Sequence, residues 1–144
     1  MTRSLIREQL FRLLFRIEFN SKEEMSEQVR LFFEDDVEED GESIRGAQIP
    51  QEEAGYITDK LYKIVDKIPE IDEKIAAASK GWNLDRIGKV EITILRLAVY
   101  EMLYDDDIPV GVAIDEAVEL SKKYGPDGAK AFVNGILAAI AKDK

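Results

Sequence analysis

The sequence predicts an all-α fold of about seven helices. Apolar residues recur at three- and four-residue steps along most of the chain, and no stretch shows the strict alternation of a half-buried strand. Short joints rich in proline, glycine and aspartate separate these segments, so consecutive helices should pack as antiparallel neighbours. The 144 residues suffice for one compact domain, or for two small helical halves that share a core.

The first helix is expected over residues 3–19, where an apolar stripe lies opposite a basic face. Arg12 and Arg16 lie one turn apart on the basic face, whereas Arg3 and Arg7 lie nearer the apolar stripe. Arg3 and Arg7 should therefore be accessible only if the first turn projects beyond the core.

A shorter helix should follow Asn20 and Ser21. Its apolar positions are Met25, Val29, Phe32 and Phe33. Residues 34–49 are then acidic and poor in apolar side chains, which predicts a mobile loop. A calcium-binding loop is the alternative, but the acidic residues do not follow the alternating ligand spacing of an EF-hand.

Two prolines mark the next two helices. Pro50 suits the first turn of a helix that ends at Ile68, and Pro69 suits the first turn of another that Gly81 ends. The segment from Trp82 to Tyr104 then forms a helix that is apolar around most of its circumference. Such a helix must be central, because only neighbouring helices can cover it, and Trp82 is expected to cap the end of this core.

The last two helices are expected over residues 110–124 and 129–141, separated by a Gly-Pro-Asp-Gly break. Ahead of them, Asp105, Asp106 and Asp107 could suggest a metal site. Three successive carboxylates cannot all face one ion without further ligands, so we interpret them as a helix end followed by a proline-limited turn.

Composition excludes most catalytic chemistry. The chain contains no cysteine and no histidine, which removes thiolate catalysis, disulfides and the commonest general base and metal ligand. We predict no catalytic residue, no metal site and no cofactor. No apolar run is long enough to span a membrane and no signal peptide is recognisable, so we expect a soluble cytoplasmic protein without a membrane partner.

The net charge of −10 hides a basic N-terminus. The first 17 residues carry four arginines against Glu8 alone, a local sum of +3. Phosphate binding responds to the potential within about 8 Å at physiological salt, so a basic helix can bind RNA on an acidic protein. A solvated helix face is the alternative explanation of the four arginines.

The second half of the chain closely resembles the NusB family of bacterial transcription antitermination factors. The string WNLDRIGKVEITILRLAVYEML is followed by DIPVGVAIDEAVELSKKYG and KAFVNGILAAIA. Within them the family pattern falls on Leu95, Arg96, Tyr100 and Glu101, then Asp107 to Pro109, Ile114 to Leu120 and Phe132 to Gly135. These motifs cover roughly residues 82–141 in order, and the first helix, Ile71 and Asp72 also fit.

The resemblance implies one domain over residues 1–144, built as two packed three-helix bundles with approximate halves 1–80 and 81–144. It also implies a non-enzymatic factor that binds a boxA-like single-stranded element of nascent ribosomal leader RNA. The implied partners are ribosomal protein NusE and the RNA polymerase antitermination complex.

The resemblance also assigns site residues. The family's principal RNA contacts correspond to Arg3 and Arg7, and the start of the FVNG helix adds Lys130, Phe132 and Asn134. We add Arg12 and Arg16 from this sequence as further basic positions. For the ribosomal partner, the matching contact positions are Phe15 and Glu91. Phe132 and Asn134 have structural alternatives, as a core residue and as a loop contact respectively.

This chain departs from the family at its N-terminus. Many members carry consecutive arginines where Ser4 and Leu5 follow Arg3 here, so RNA binding should depend more strongly on NusE. A helical protein-interaction module of the same fold, a homodimer through the arginine-bearing surface, is the alternative. A methyltransferase is a third class, but the chain has no glycine-rich cofactor loop after a strand.

Overall fold

The computed structural model describes residues 1–18, 22–35, 45–80 and 84–143. These ranges form six α-helices, and none of their residues is in a strand. The helices are α1 (Arg3–Ile17), α2 (Met25–Glu34), α3 (Gln51–Ala78), α4 (Lys89–Tyr104), α5 (Val110–Tyr124) and α6 (Ala129–Lys142). Single 3₁₀ turns lie at Lys22–Glu24, Gly46–Gln48 and Leu84–Arg86. The predicted all-α class is confirmed.

The predicted helix boundary at Pro69 is wrong, because α3 continues through it to Ala78. Proline lacks the N–H that would bond a carbonyl one turn back, which costs a helix about 3 kcal/mol. Pro69 itself is exposed, while Ile64, Ile71 and Ile75 on the same helix are fully buried. Each buried isoleucine contributes about 1.5–3 kcal/mol, so together these three outweigh the proline and keep one helix where the sequence predicted two.

The chain forms two compact units that divide inside α3. The N-terminal unit is Met1–Lys63 and the C-terminal unit is Ile64–Lys144. This division lies within α3, and the expected halves 1–80 and 81–144 stay a prediction.

In the N-terminal unit α1 packs against α2. The core side chains are Leu10, Phe11, Leu13, Leu14, Met25, Val29, Phe32, Ile49, Ile57 and Leu61. The end of the predicted acidic loop is ordered here: the Ala47 backbone N–H donates to the Asp35 carbonyl at 3.0 Å, and Ile49 is buried. The remainder of that loop, residues 36–44, lies outside the described residues, as do Asn20 and Ser21.

In the C-terminal unit α4 packs against both α5 and α6, as its all-round apolar character predicts. From Ile92 to Met102, α4 is buried at every position except Arg96. Ala113 and Ala117 form much of the buried face of α5, where small side chains let two helices approach closely. The predicted cap by Trp82 lies outside the described residues. Among the described helices, none combines the length and the apolar character needed to cross a bilayer.

Candidate nucleic-acid interface

Thr2 fixes the beginning of α1. Its side-chain oxygen accepts a hydrogen bond from the Leu5 backbone N–H at 3.1 Å, which satisfies one of the N–H groups that a helix start leaves open. Arg3 is the first helical residue and is exposed. Its guanidinium is therefore accessible to solvent, as contact with a phosphate requires.

Arg7 lies one turn further along α1 and is only 6% exposed. Leu10, Phe11 and Leu14 are buried on the same side of the helix. The first turn therefore projects beyond the core at Arg3 but no longer at Arg7. In this conformation the Arg7 guanidinium presents almost no surface to an RNA.

Arg12 and Arg16 are half-buried and both contact α2. The Arg12 guanidinium lies 5.9 Å from the centre of the Phe32 ring, and its Nη1 donates to Gln9 Oε1 at 3.0 Å. The Arg16 Nε donates to Gln28 Oε1 at 2.9 Å. Gln9 is fully buried, and the bond from Arg12 satisfies its side-chain oxygen, which would otherwise be costly to bury without a donor.

Phe15 lies on the surface edge of α1, to one side of these two arginines, and is half-buried. Its ring stacks on buried Phe11, with the ring centroids 6.2 Å apart. One side of the Phe15 ring is thus fixed by the core, while the remainder is open to a partner.

The start of α6 carries the second group of predicted RNA residues. Gly128 precedes the helix with φ of 88°, a left-handed conformation that glycine adopts without strain. Lys130 and Asn134 are exposed and one turn apart, whereas Phe132 is half-buried and about 160–200° away around the helix. A single strand could contact all three only by passing around the N-terminal end of α6.

Glu91 is half-buried in the first turn of α4. A Cβ added to Gly88, the residue before the helix, would lie 2.8 Å from both carboxylate oxygens of Glu91. The carboxylate is therefore turned back over the helix start, where negative charge is favourable. Glu91 thus has a structural role beside the partner contact predicted for it.

Gln28 and Phe32 are the residues that sequence reasoning missed. They lie one turn apart on α2, matching the one-turn spacing of Arg16 and Arg12 on α1. This matched spacing is the sequence feature that could have indicated that the two arginines contact these α2 residues. It predicts the contacts only once α1 and α2 are known to be antiparallel neighbours.

The arginines of α1 and Phe15 belong to the N-terminal unit, while Glu91 and the α6 residues belong to the C-terminal unit. In the described residues no group of three or more acidic side chains is arranged to hold a metal ion. A cavity of about 110 Å³ lies in the C-terminal unit, lined by Lys74, Ala77, Ala78, Leu103, Ile140 and Asp143. It is well below the roughly 300 Å³ at which cofactor pockets begin.

Comparison with known proteins gives matches over nearly the full length. The NusB family model matches residues 4–142. The transcription antitermination protein NusB of Lachnoclostridium phytofermentans is 49% identical over 140 residues, which cover 97% of this chain and 98% of that protein. The structure of T. maritima NusB matches with a TM-score of 0.79 and 31% identity, covering 99% of this chain and 92% of that one.

A structure of the antitermination factors NusB and NusE in complex with dsRNA also matches. Its TM-score is 0.75 at 28% identity, and the match covers 99% of this chain and 97% of that one. The similarity in sequence and in fold therefore extends across both units.

Proposed function

This chain belongs to the NusB family of transcription antitermination factors, and we propose that it binds a boxA-like element of nascent ribosomal leader RNA together with ribosomal protein NusE. The observation that carries the proposal is the match, over 99% of this chain, to a structure of NusB and NusE in complex with dsRNA. In this role it supports transcription of the ribosomal RNA operons within the RNA polymerase antitermination complex. It acts in the cytoplasm and catalyses no reaction.

The RNA contacts that we propose are Arg3 on α1, with Lys130, Phe132 and Asn134 on α6. Arg3, Lys130 and Asn134 are exposed, and a guanidinium or ammonium at such a position can bind phosphate. The exposed part of the Phe132 ring can stack on an unpaired base. Arg7 can join them only if the start of α1 shifts when the complex forms, because its side chain is buried.

For NusE we propose contacts from Phe15 and Glu91. Phe15 offers a ring held against the core by Phe11, and Glu91 offers a partly accessible carboxylate. The net charge of −10 favours encounter with a basic ribosomal protein, since complementary charge raises association rates.

The second candidate is a protein-interaction module with weak RNA binding, acting as a homodimer or with NusE alone. The observation that favours it is the placement of the four arginines. Arg3 is exposed, Arg7 is buried, and Arg12 and Arg16 are engaged on α2. A smaller exposed basic surface lowers the number of phosphates that the protein can neutralise.

The two candidates are separated by the double variant Arg3→Ala/Lys130→Ala, titrated as a NusE heterodimer into a labelled boxA-like RNA. The matched control is Arg30→Ala/Lys122→Ala, which removes the same charge from exposed cations on α2 and α5 that pair with carboxylates of their own helices. Each lost phosphate contact lowers the slope of log K against log salt by about 0.7 for a single strand.

We expect the slope to fall by about 1.4 for the first variant and to stay unchanged for the control. NusE binding should be the same for both. Equal slopes for the two variants would favour the interaction module.

A further inference from the structure

Two side-chain contacts join α1 and α2 in matched register. Arg12 contacts Phe32, and Arg16 contacts Gln28. Arg16 lies one turn after Arg12 on α1, and Gln28 lies one turn before Phe32 on α2. The first contact is a guanidinium over an aromatic ring, and the second is a hydrogen bond of 2.9 Å. Together they fix both the separation of the two helices and their position along each other.

Arg12 and Arg16 lie to the same side of Phe15 around α1, whereas Arg7 lies to its other side, about 80° away. At about 100° per residue, Arg12 is about 60° from Phe15 around the helix and Arg16 about 100°. Arg7 is about 140° from Arg12, on the side that faces the core. A phosphate strand held by Arg3 would therefore have to cross α1 to reach Arg12 or Arg16.

We infer that Arg12 and Arg16 are positioning residues for the NusE-binding edge of α1, which they serve by fixing α2 beside Phe15, and that they do not contact RNA. The inference rests on the proposed function, because it takes NusE as the partner at Phe15. It changes the role that the sequence alone suggested for these two cations, from RNA contact to support of a protein interface.

The chemistry of the two contacts suits arginine. A planar guanidinium can lie over a ring and still donate in its own plane. The guanidinium of Arg12 lies over the Phe32 ring and donates to Gln9 Oε1. Gln28 supplies a neutral acceptor to Arg16. A positioned α2 gives NusE a preformed surface, so that less ordering is required when the complex forms.

The test compares Arg16→Ala, Gln28→Ala and the double variant with the unsubstituted full chain. NusE affinity is measured by calorimetry, well below the melting temperature of every variant. We expect each single variant to weaken NusE binding about three- to tenfold, and the double variant no further, because both remove the same contact. Arg16→Lys keeps a donor for Gln28 and should restore affinity to within about twofold.

RNA binding by the heterodimer is the second measurement, made at saturating NusE and at two salt concentrations. The salt slope should be unchanged by Arg16→Ala. A fall of about 0.7 would show a phosphate contact and overturn the inference. Unchanged NusE affinity in both single variants would also overturn the inference. If Arg16→Ala folds poorly, the NusE affinity of Gln28→Ala alone decides the question. Failure of the unsubstituted protein to bind NusE would instead overturn the proposed function.

Discussion

Arg96 on α4 and Asp72 on α3 form a two-bond ion pair inside the C-terminal unit. The Arg96 Nε donates to Asp72 Oδ1 and its Nη2 donates to Oδ2, each at 2.9 Å. The two side chains are 15% and 21% exposed, so water screens the pair only in part. Arg96 is the one position between Ile92 and Met102 on α4 that is not buried, and this ion pair is its function in the fold.

Removing either partner of this pair should destabilise the protein. We predict that Arg96→Ala and Asp72→Ala each lower the free energy of unfolding by about 1–3 kcal/mol, because each leaves a partly buried charge without its partner. Urea denaturation measures the change. Arg30→Ala is the control, since Arg30 pairs with Glu27 and Glu34 in full solvent, and it should have no measurable effect. Additive losses in the Arg96/Asp72 double variant would contradict direct coupling.

Gly46 should tolerate no side chain. A Cβ at this position would lie 1.8 Å from the Phe32 carbonyl oxygen, and a backbone atom of α2 cannot turn aside. We predict that Gly46→Ala destabilises the protein by about 1–3 kcal/mol. Gly55 is exposed on α3, and a Cβ added there would meet no atom within 4 Å, so Gly55→Ala should stabilise by about 0.5–1 kcal/mol. The midpoint of thermal unfolding should fall for Gly46→Ala and rise for Gly55→Ala.

Pro69 should destabilise α3. It lies in the helix interior and is exposed, so alanine can replace it without a clash and adds a backbone N–H donor. We predict that Pro69→Ala stabilises the protein by about 1–3 kcal/mol, measured by urea denaturation. A loss of stability would indicate that the proline fixes a bend on which the packing of α3 depends.

Phe132 should contribute to RNA binding through stacking. We predict that Phe132→Ala weakens RNA binding by the NusE heterodimer by about 1–3 kcal/mol without changing the salt slope, since a ring carries no charge. Fluorescence anisotropy at two salt concentrations measures both quantities. Phe132→Trp keeps a stacking surface and should retain the affinity. Full RNA affinity in the alanine variant would show that Phe132 only supports α6.

Much of the fold is readable from the sequence because it follows from helical periodicity. The apolar character of α4 around most of its circumference predicted its central position, and the glycine break before α6 predicted where that helix begins. The boundary predicted at Pro69 is wrong because a proline that begins a helix and one that lies inside a helix have the same local sequence. Burial of Ile71 and Ile75 decides between them, and burial is a property of the tertiary structure.

The candidate site was less predictable, because the role of a cation depends on what lies next to it. Arg3 and Arg7 lie on the same side of a helical wheel, about 40° apart, yet only the packing of the N-terminal unit shows that the core covers Arg7 and leaves Arg3 exposed. The motif residues of α4 also depend on their neighbours. Arg96 pairs with Asp72, while Tyr100 and Glu101 are buried, so the motif that carried the family resemblance forms the core of the fold.

RNA recognition is tested most directly by titrating this protein into a labelled single-stranded boxA-like RNA, with and without NusE, at two salt concentrations. A scrambled strand and a duplex of the same composition serve as controls. We predict salt-sensitive binding to the boxA-like strand that strengthens when NusE is present and exceeds binding to both controls. Equal affinity for all three RNAs, or no binding while the NusE heterodimer still forms, would contradict boxA recognition.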